Sequence, residues 1–143
     1  MVAMLSGFSD SGSVIGQLSD HFFSSLKHEL VVRFDNDELL DYRSRRPTLF
    51  FEKDHIESYE PATLAIYLVW DEAGQPFLLL DGYEPDMRWE AFARAVTQFC
   101  TDNDVQSFTW VHAIPFPIPH TRPTGITVSG NRQDMIARFS EWK

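Results

Sequence analysis

Cysteine is almost missing from this sequence: Cys100 is the only one in 143 residues. No disulfide can form within the chain, and a reducing, cytoplasmic setting is the expectation. Basic residues are also scarce. Twelve Lys and Arg stand against 21 Asp and Glu, a formal charge of −9. A chain of that balance lacks the basic face that nucleic-acid binding needs and gains nothing at an anionic membrane surface. No apolar run approaches the roughly 20 residues of a membrane helix. No basic segment followed by an apolar core marks a secretory leader, and no period of solenoid length repeats. The phosphate-binding patterns G-x-x-x-x-G-K-[ST] and G-x-G-x-x-G are absent, as are C-x-x-C and H-x-x-x-H. Neither a cofactor nor a metal is expected.

Aromatic residues are abundant, with twelve Phe and an aromatic share of 14% within an apolar share of 43%. This composition fits a single globular domain over residues 1–143, with a dense interior or a sizeable interface. The chain is organised around Gly7-Phe8-Ser9-Asp10-Ser11-Gly12. The apolar run Val2 to Leu5 leads in as a strand. Val14, Ile15, Leu18, Phe22 and Leu26 lead out as a helical stripe. Gly7 and Gly12 permit close approach and unusual backbone angles. Ser9, Asp10 and Ser11 are able to cap the helix, whose first amides would face an anion, a substrate oxygen or a partner's carbonyl.

Further strands are expected at Leu30 to Phe34, Thr48 to Glu52, Thr63 to Trp70, Phe77 to Leu80, Val105 to Val111 and Gly125 to Ser129. The strands on either side of Gly74 suit a hairpin. A helical turn is expected at Leu39 to Tyr42. A helix capped by Asp86 should carry the stripe Trp89, Phe92, Ala93, Val96 and Phe99, with Cys100 as a small buried hydrophobe on it. The proline-rich stretch Pro115 to Pro123 can be neither helix nor central strand, and should hold His120, Thr121 and Arg122 on a stiff loop. A last helix is expected from Met135 to Trp142. An ending on Phe139 and Trp142 reads as a segment of a longer chain, or as an end packed on another chain.

Strands alternating with amphipathic helices argue for an α/β protein, a three-layer α/β/α sandwich with a mixed, mostly parallel sheet. In such sheets ligands sit beyond the carboxyl ends of strands. Three polar clusters follow strand ends: Ser9 to Ser11, Gly82 to Asp86, and His112 with His120 to Arg122. The candidate ligand-binding set is therefore Gly7, Ser9, Asp10, Ser11, Gly12, Gly82, Glu84, His120, Thr121 and Arg122. The nucleophile elbow G-x-S-x-G is not met, because Ser11 stands where its second glycine belongs. Asp81, Glu84 and Asp86 are potential hard-cation ligands that capping explains more simply. Arg43, Arg45 and Arg46 form either an anion site or a solvated loop. No residue is assigned a catalytic role.

Taken in order, Gly7 to Gly12, Leu78-Leu79-Leu80-Asp81-Gly82-Tyr83-Glu84-Pro85, and Pro119-His120-Thr121-Arg122-Pro123 with Ile126 to Val128 resemble three sequence blocks of the proteasome assembly chaperone superfamily. The resemblance is to its prokaryotic branch, especially actinobacterial proteins of unknown function. Ser11 departs from the commoner alanine, and members of that branch are longer than this chain. The resemblance implies a fold like that of purine nucleoside phosphorylases. It also implies self-association and a role in protein assembly, with a further copy of the chain or a proteasome-related component as partner. The alternative is a small-ligand binder or enzyme for a nucleoside- or phosphate-like molecule. There Asp10 or Glu84 would act as base, His120 as acid and Arg122 as anion clamp.

Overall fold

The computed structural model describes residues 1–139. Its main sheet has five strands. β1 is Val2–Ser6, β2 His28–Arg33, β5 Ala65–Trp70, β6 Pro76–Tyr83 and β7 Thr109–Val111, in the order β2-β5-β6-β1-β7. β3 (Thr48–Glu52) and β4 (His55–Glu60) pair only with each other. The helices are α1 (Val14–Ser25), α2 (Asn36–Leu39), α3 (Trp89–Asp102) and α4 (Gln133–Ala137).

Alternation in β1 sends side chains to two cores. Ala3 and Leu5 join Ile66, Leu80, Phe92 and Val96 on the face covered by α3. Met4 joins Ile15, Val69 and Leu79 on the face covered by α1. The expected α/β/α layering follows from this period-two split meeting two helical stripes. Leu64, Ile66 and Leu79 are wholly buried, each worth roughly 1.5–3 kcal/mol of apolar transfer. The sheet is mixed. β1 pairs parallel with β6 and β7, while β5 pairs antiparallel with β2 and β6.

The hairpin around Gly74 forms as expected. Gly74 takes a positive φ of 77°, and Asp71 accepts from the Gln75 amide at 2.7 Å, an Asx-type closure.

Several expectations change, and the strand expected from Val105 covers only Thr109–Val111. Residues 125–129 are not a strand, because prolines precede them and no neighbouring strand receives them. A strand at His55–Glu60 was hidden by its acidic, exposed composition and completes a hairpin instead. The helical turn sits at Asn36–Leu39, where the Asp35 side chain caps the Asp37 amide at 2.9 Å. Asp86 does not cap α3. The cap position is Arg88 in the left-handed region, at φ 56°, and Asp86 instead accepts from the Asp41 amide and pairs with Arg45 at 3.2 Å. The last helix covers Gln133–Ala137, and Trp142 lies outside the described residues.

Candidate functional site

Because β1, β6 and β7 are adjacent and parallel, their carboxyl ends open on one edge of the sheet. The loop Gly7 to Gly12 sits there and is stitched to both neighbours. The Glu84 carboxylate, just past β6, accepts from the Phe8 amide at 3.1 Å, and the Glu84 amide donates to the Ser6 carbonyl at 2.8 Å. A Cβ on Gly7 would overlap the Glu84 carboxyl group, so the glycine is what lets this acid lie against the backbone. Beyond β7, the Ala113 carbonyl accepts from the Ser9 hydroxyl at 3.0 Å and from the Ser11 amide at 3.1 Å. Asp10 accepts from the Ile15 amide at 3.0 Å, which serves the start of α1 as a capping acid does. Gly12 takes φ 73° in open space.

These bonds use the donors that an incoming anion would need. The Phe8, Ser11 and Ile15 amides already serve Glu84, Ala113 and Asp10, and two of those acceptors are carboxylates. Phe8, in contrast, projects its ring into solvent, 99% exposed.

Beside this loop, on the α1 side, lies a cleft of about 240 Å³ lined by Ser6, Ile15, Ser19, Thr63, Asp81 and Tyr83. Asp81 reaches it from β6. Burial pushes its carboxyl above the usual range; a hydrogen bond with Ser19 works the other way, and Asp20 adds to the rise. No ion pair reaches Asp81 among the described residues. Gly82 forms part of the wall at φ 140°, and a Cβ there would strike the Thr63 carbonyl and the Leu64 backbone.

His120, Thr121 and Arg122 are exposed on the proline-rich loop. Its turn is closed by the Arg122 amide on the Pro119 carbonyl at 2.9 Å. No bond among the described residues carries these three side chains to Glu84 or to the Gly7 loop; of the third cluster, only the backbone next to His112, at Ala113, reaches the loop. Asp81, Glu84 and Asp86 point to three different tasks, and no group of three His, Cys, Asp or Glu able to hold a metal occurs among the described residues. Arg43 pairs with Asp41, and Arg45 pairs with Asp86 and lies over the Tyr83 ring. Cys100 is half-buried, its thiol pushed up by burial, as an apolar role predicts. Sequence reasoning weighed Asp81 as a cation ligand, preferred a capping or turn role, and missed Ser6 and Ser19 as its neighbours in the cleft. The signal was alternation: Phe77, Leu79 and Asp81 share one face of β6.

A family model described as the PAC2 family matches residues 4–143. The chain belongs to the PAC2 family. None of the curated proteins matches it. Among solved structures, a Mycobacterium tuberculosis protein of unknown function is 41% identical, with a TM-score of 0.91 over 97% of this chain and 48% of its own. A Corynebacterium glutamicum protein of unknown function is 32% identical, with a TM-score of 0.83 over 98% of this chain and 60% of its own. A Mycobacterium tuberculosis protein described as a proteasome-assembly chaperone homologue is 24% identical, with a TM-score of 0.76 over 85% of this chain and 52% of its own. At that identity the likeness is one of fold. This PAC2 chain thus spans roughly half to three-fifths of the lengths of its structural relatives. Among the described residues no helix is long and apolar enough to cross a membrane.

Proposed function

We propose that this PAC2 chain is a protein-interaction module, a self-associating assembly factor working in the cytoplasm. The observation that carries the reading is the β3–β4 ribbon. Every residue from 48 to 60 is exposed, yet Leu49 faces Tyr59 and Phe51 faces Ile56 across the strands. Phe51 and Tyr59 are 66% and 61% exposed. Two strands alone are marginally stable in water, and an apolar patch of this kind marks a contact surface. The likeness in fold to a protein described as a proteasome-assembly chaperone homologue supports the assembly role, and a proteasome-related component is the partner of choice after a second copy.

The test is sedimentation of the chain from low to high micromolar concentration. Mass should rise with concentration for the wild type. A Phe51→Ser, Ile56→Ser double variant should associate at least about tenfold more weakly, with an unchanged melting temperature. A wild type that stays monomeric throughout overturns the reading.

The Asp81 cleft favours a second reading, a small-molecule site. Its carboxylate and hydroxyls suit a cationic or hydrogen-bond-donating ligand better than the phosphate-like one that the sequence alone invited. A thermal-shift series comparing small amines with inorganic phosphate would separate the two chemistries, and equal indifference to both would remove this reading.

A further inference from the structure

A second exposed apolar surface lies along the β7 edge of the sheet. Phe108, Trp110, Ile114 and Phe116 surround the edge strand β7 and the start of the proline-rich segment, with Phe116 72% exposed. The outer edge of β7 pairs with no strand among the described residues. The charge around these two surfaces differs in sign. Residues 105–133 contain no Asp or Glu, although the whole chain carries −9, and they include Arg122, Arg132, His112 and His120. Arg132 is held by Asp134, while Arg122 has no acid partner among the described residues. The ribbon, in contrast, carries Glu52, Asp54, Glu57 and Glu60 against Lys53 and His55.

The ribbon is inserted between α2 and β5, and β5 lies three strand spacings from β7, roughly 14 Å. No bond joins the two surfaces within one chain among the described residues. A ribbon-on-ribbon contact would face two acidic rims with each other, and two copies of a −9 chain already repel. Apposing an acidic apolar ribbon to an acid-free apolar face removes that conflict.

We infer that the β3–β4 ribbon of one copy packs on the β7 and proline-rich face of a second copy, head to tail. This arrangement rests on the self-association proposed above and specifies its geometry. Each copy then offers one ribbon and one receiving face, so the contact is heterologous and either closes into a ring or extends. The stiff loop from Pro115 to Pro123 presents Phe116 and Arg122 with little ordering cost.

Mixing complementary variants tests it. Phe51→Ser with Ile56→Ser disables the ribbon. Phe116→Ser with Arg122→Glu disables the receiving face. Both pairs alter exposed residues outside the two cores, and a melting curve on each confirms the fold. Each double variant should weaken association at least about tenfold. An equimolar mixture should form a dimer and stop there, because it holds one intact ribbon and one intact face. The pairing is overturned if the mixture stays monomeric, or if the face-disabled variant still associates by itself. A wild type that is monomeric defeats the self-association reading as a whole, whereas association that survives both double variants defeats only this pairing.

Discussion

The Tyr83 hydroxyl donates to the Asn36 side-chain carbonyl at 2.6 Å, and Asn36 in turn donates to the Ala62 carbonyl at 2.7 Å. One asparagine therefore links the end of β6, the start of α2 and the approach to β5. Burial, helped by nearby Tyr42 and Asp86, pushes the Tyr83 phenol up to about 12. Tyr83→Phe leaves the Asn36 acceptor without its donor and should cost about 1–2 kcal/mol in urea unfolding. Because the folded-state value is raised, the folded chain holds this proton longer than the unfolded one. The wild type should therefore lose stability as pH rises from 10 toward 12, and the variant should lack that part of the slope.

Gly82 is the least replaceable glycine of the site. Its φ of 140° and the Thr63 and Leu64 backbone against it leave no room for a methyl group to move into. Gly82→Ala should cost at least about 2 kcal/mol, read as a lower denaturant midpoint. Gly74→Ala, with a positive φ but open space around it, should cost less, so the pair separates strain from collision.

Asp81 is held with its carboxyl raised by burial. Between its unfolded value near 3.8 and the higher folded one, the folded chain binds more proton. Stability should fall as pH rises through that window. Asp81→Asn should raise the melting temperature at pH 7, with a smaller gain at acid pH where the wild type is itself protonated. A melting temperature equally changed at both pH values would deny the desolvation account.

Glu84 holds the Phe8 amide at a half-buried position on the rim. Glu84→Ala should leave global stability within about 1 kcal/mol, while hydrogen exchange at Phe8 speeds several-fold. Gly7→Ala should do the same by displacing the acid.

Legibility in the sequence followed burial. The strands around Leu64 to Trp70 and Phe77 to Leu80 were read because both faces of each are apolar, and the α1 and α3 stripes because Ile15, Leu18, Phe92 and Val96 keep helical spacing. β4 was not legible, since His55-Ile-Glu-Ser-Tyr-Glu is exposed along its whole length and pattern reading depends on a buried face. The opposite error arose at Ile126 to Val128, where β-branched residues have propensity but no partner strand. At the site, the meeting of the Gly7 loop with Glu84 followed from strand order, a tertiary fact that local sequence only invites. The Asp86 assignment failed because Asp41 and Arg45 compete for the same carboxylate.

β1 is synthesised before any of its partners. Val2 pairs with Leu79 and Thr109, so the parallel ladders of β1 have the longest loops to close. β5 and β6, joined by a five-residue turn, are able to form early and wait. On the ribosome, the apolar segment Val2 to Leu5 stays unpaired until residues 79–83 have emerged. Over that interval it is an open strand with aggregation risk, and slower emergence of residues 76–83 would lengthen its exposure.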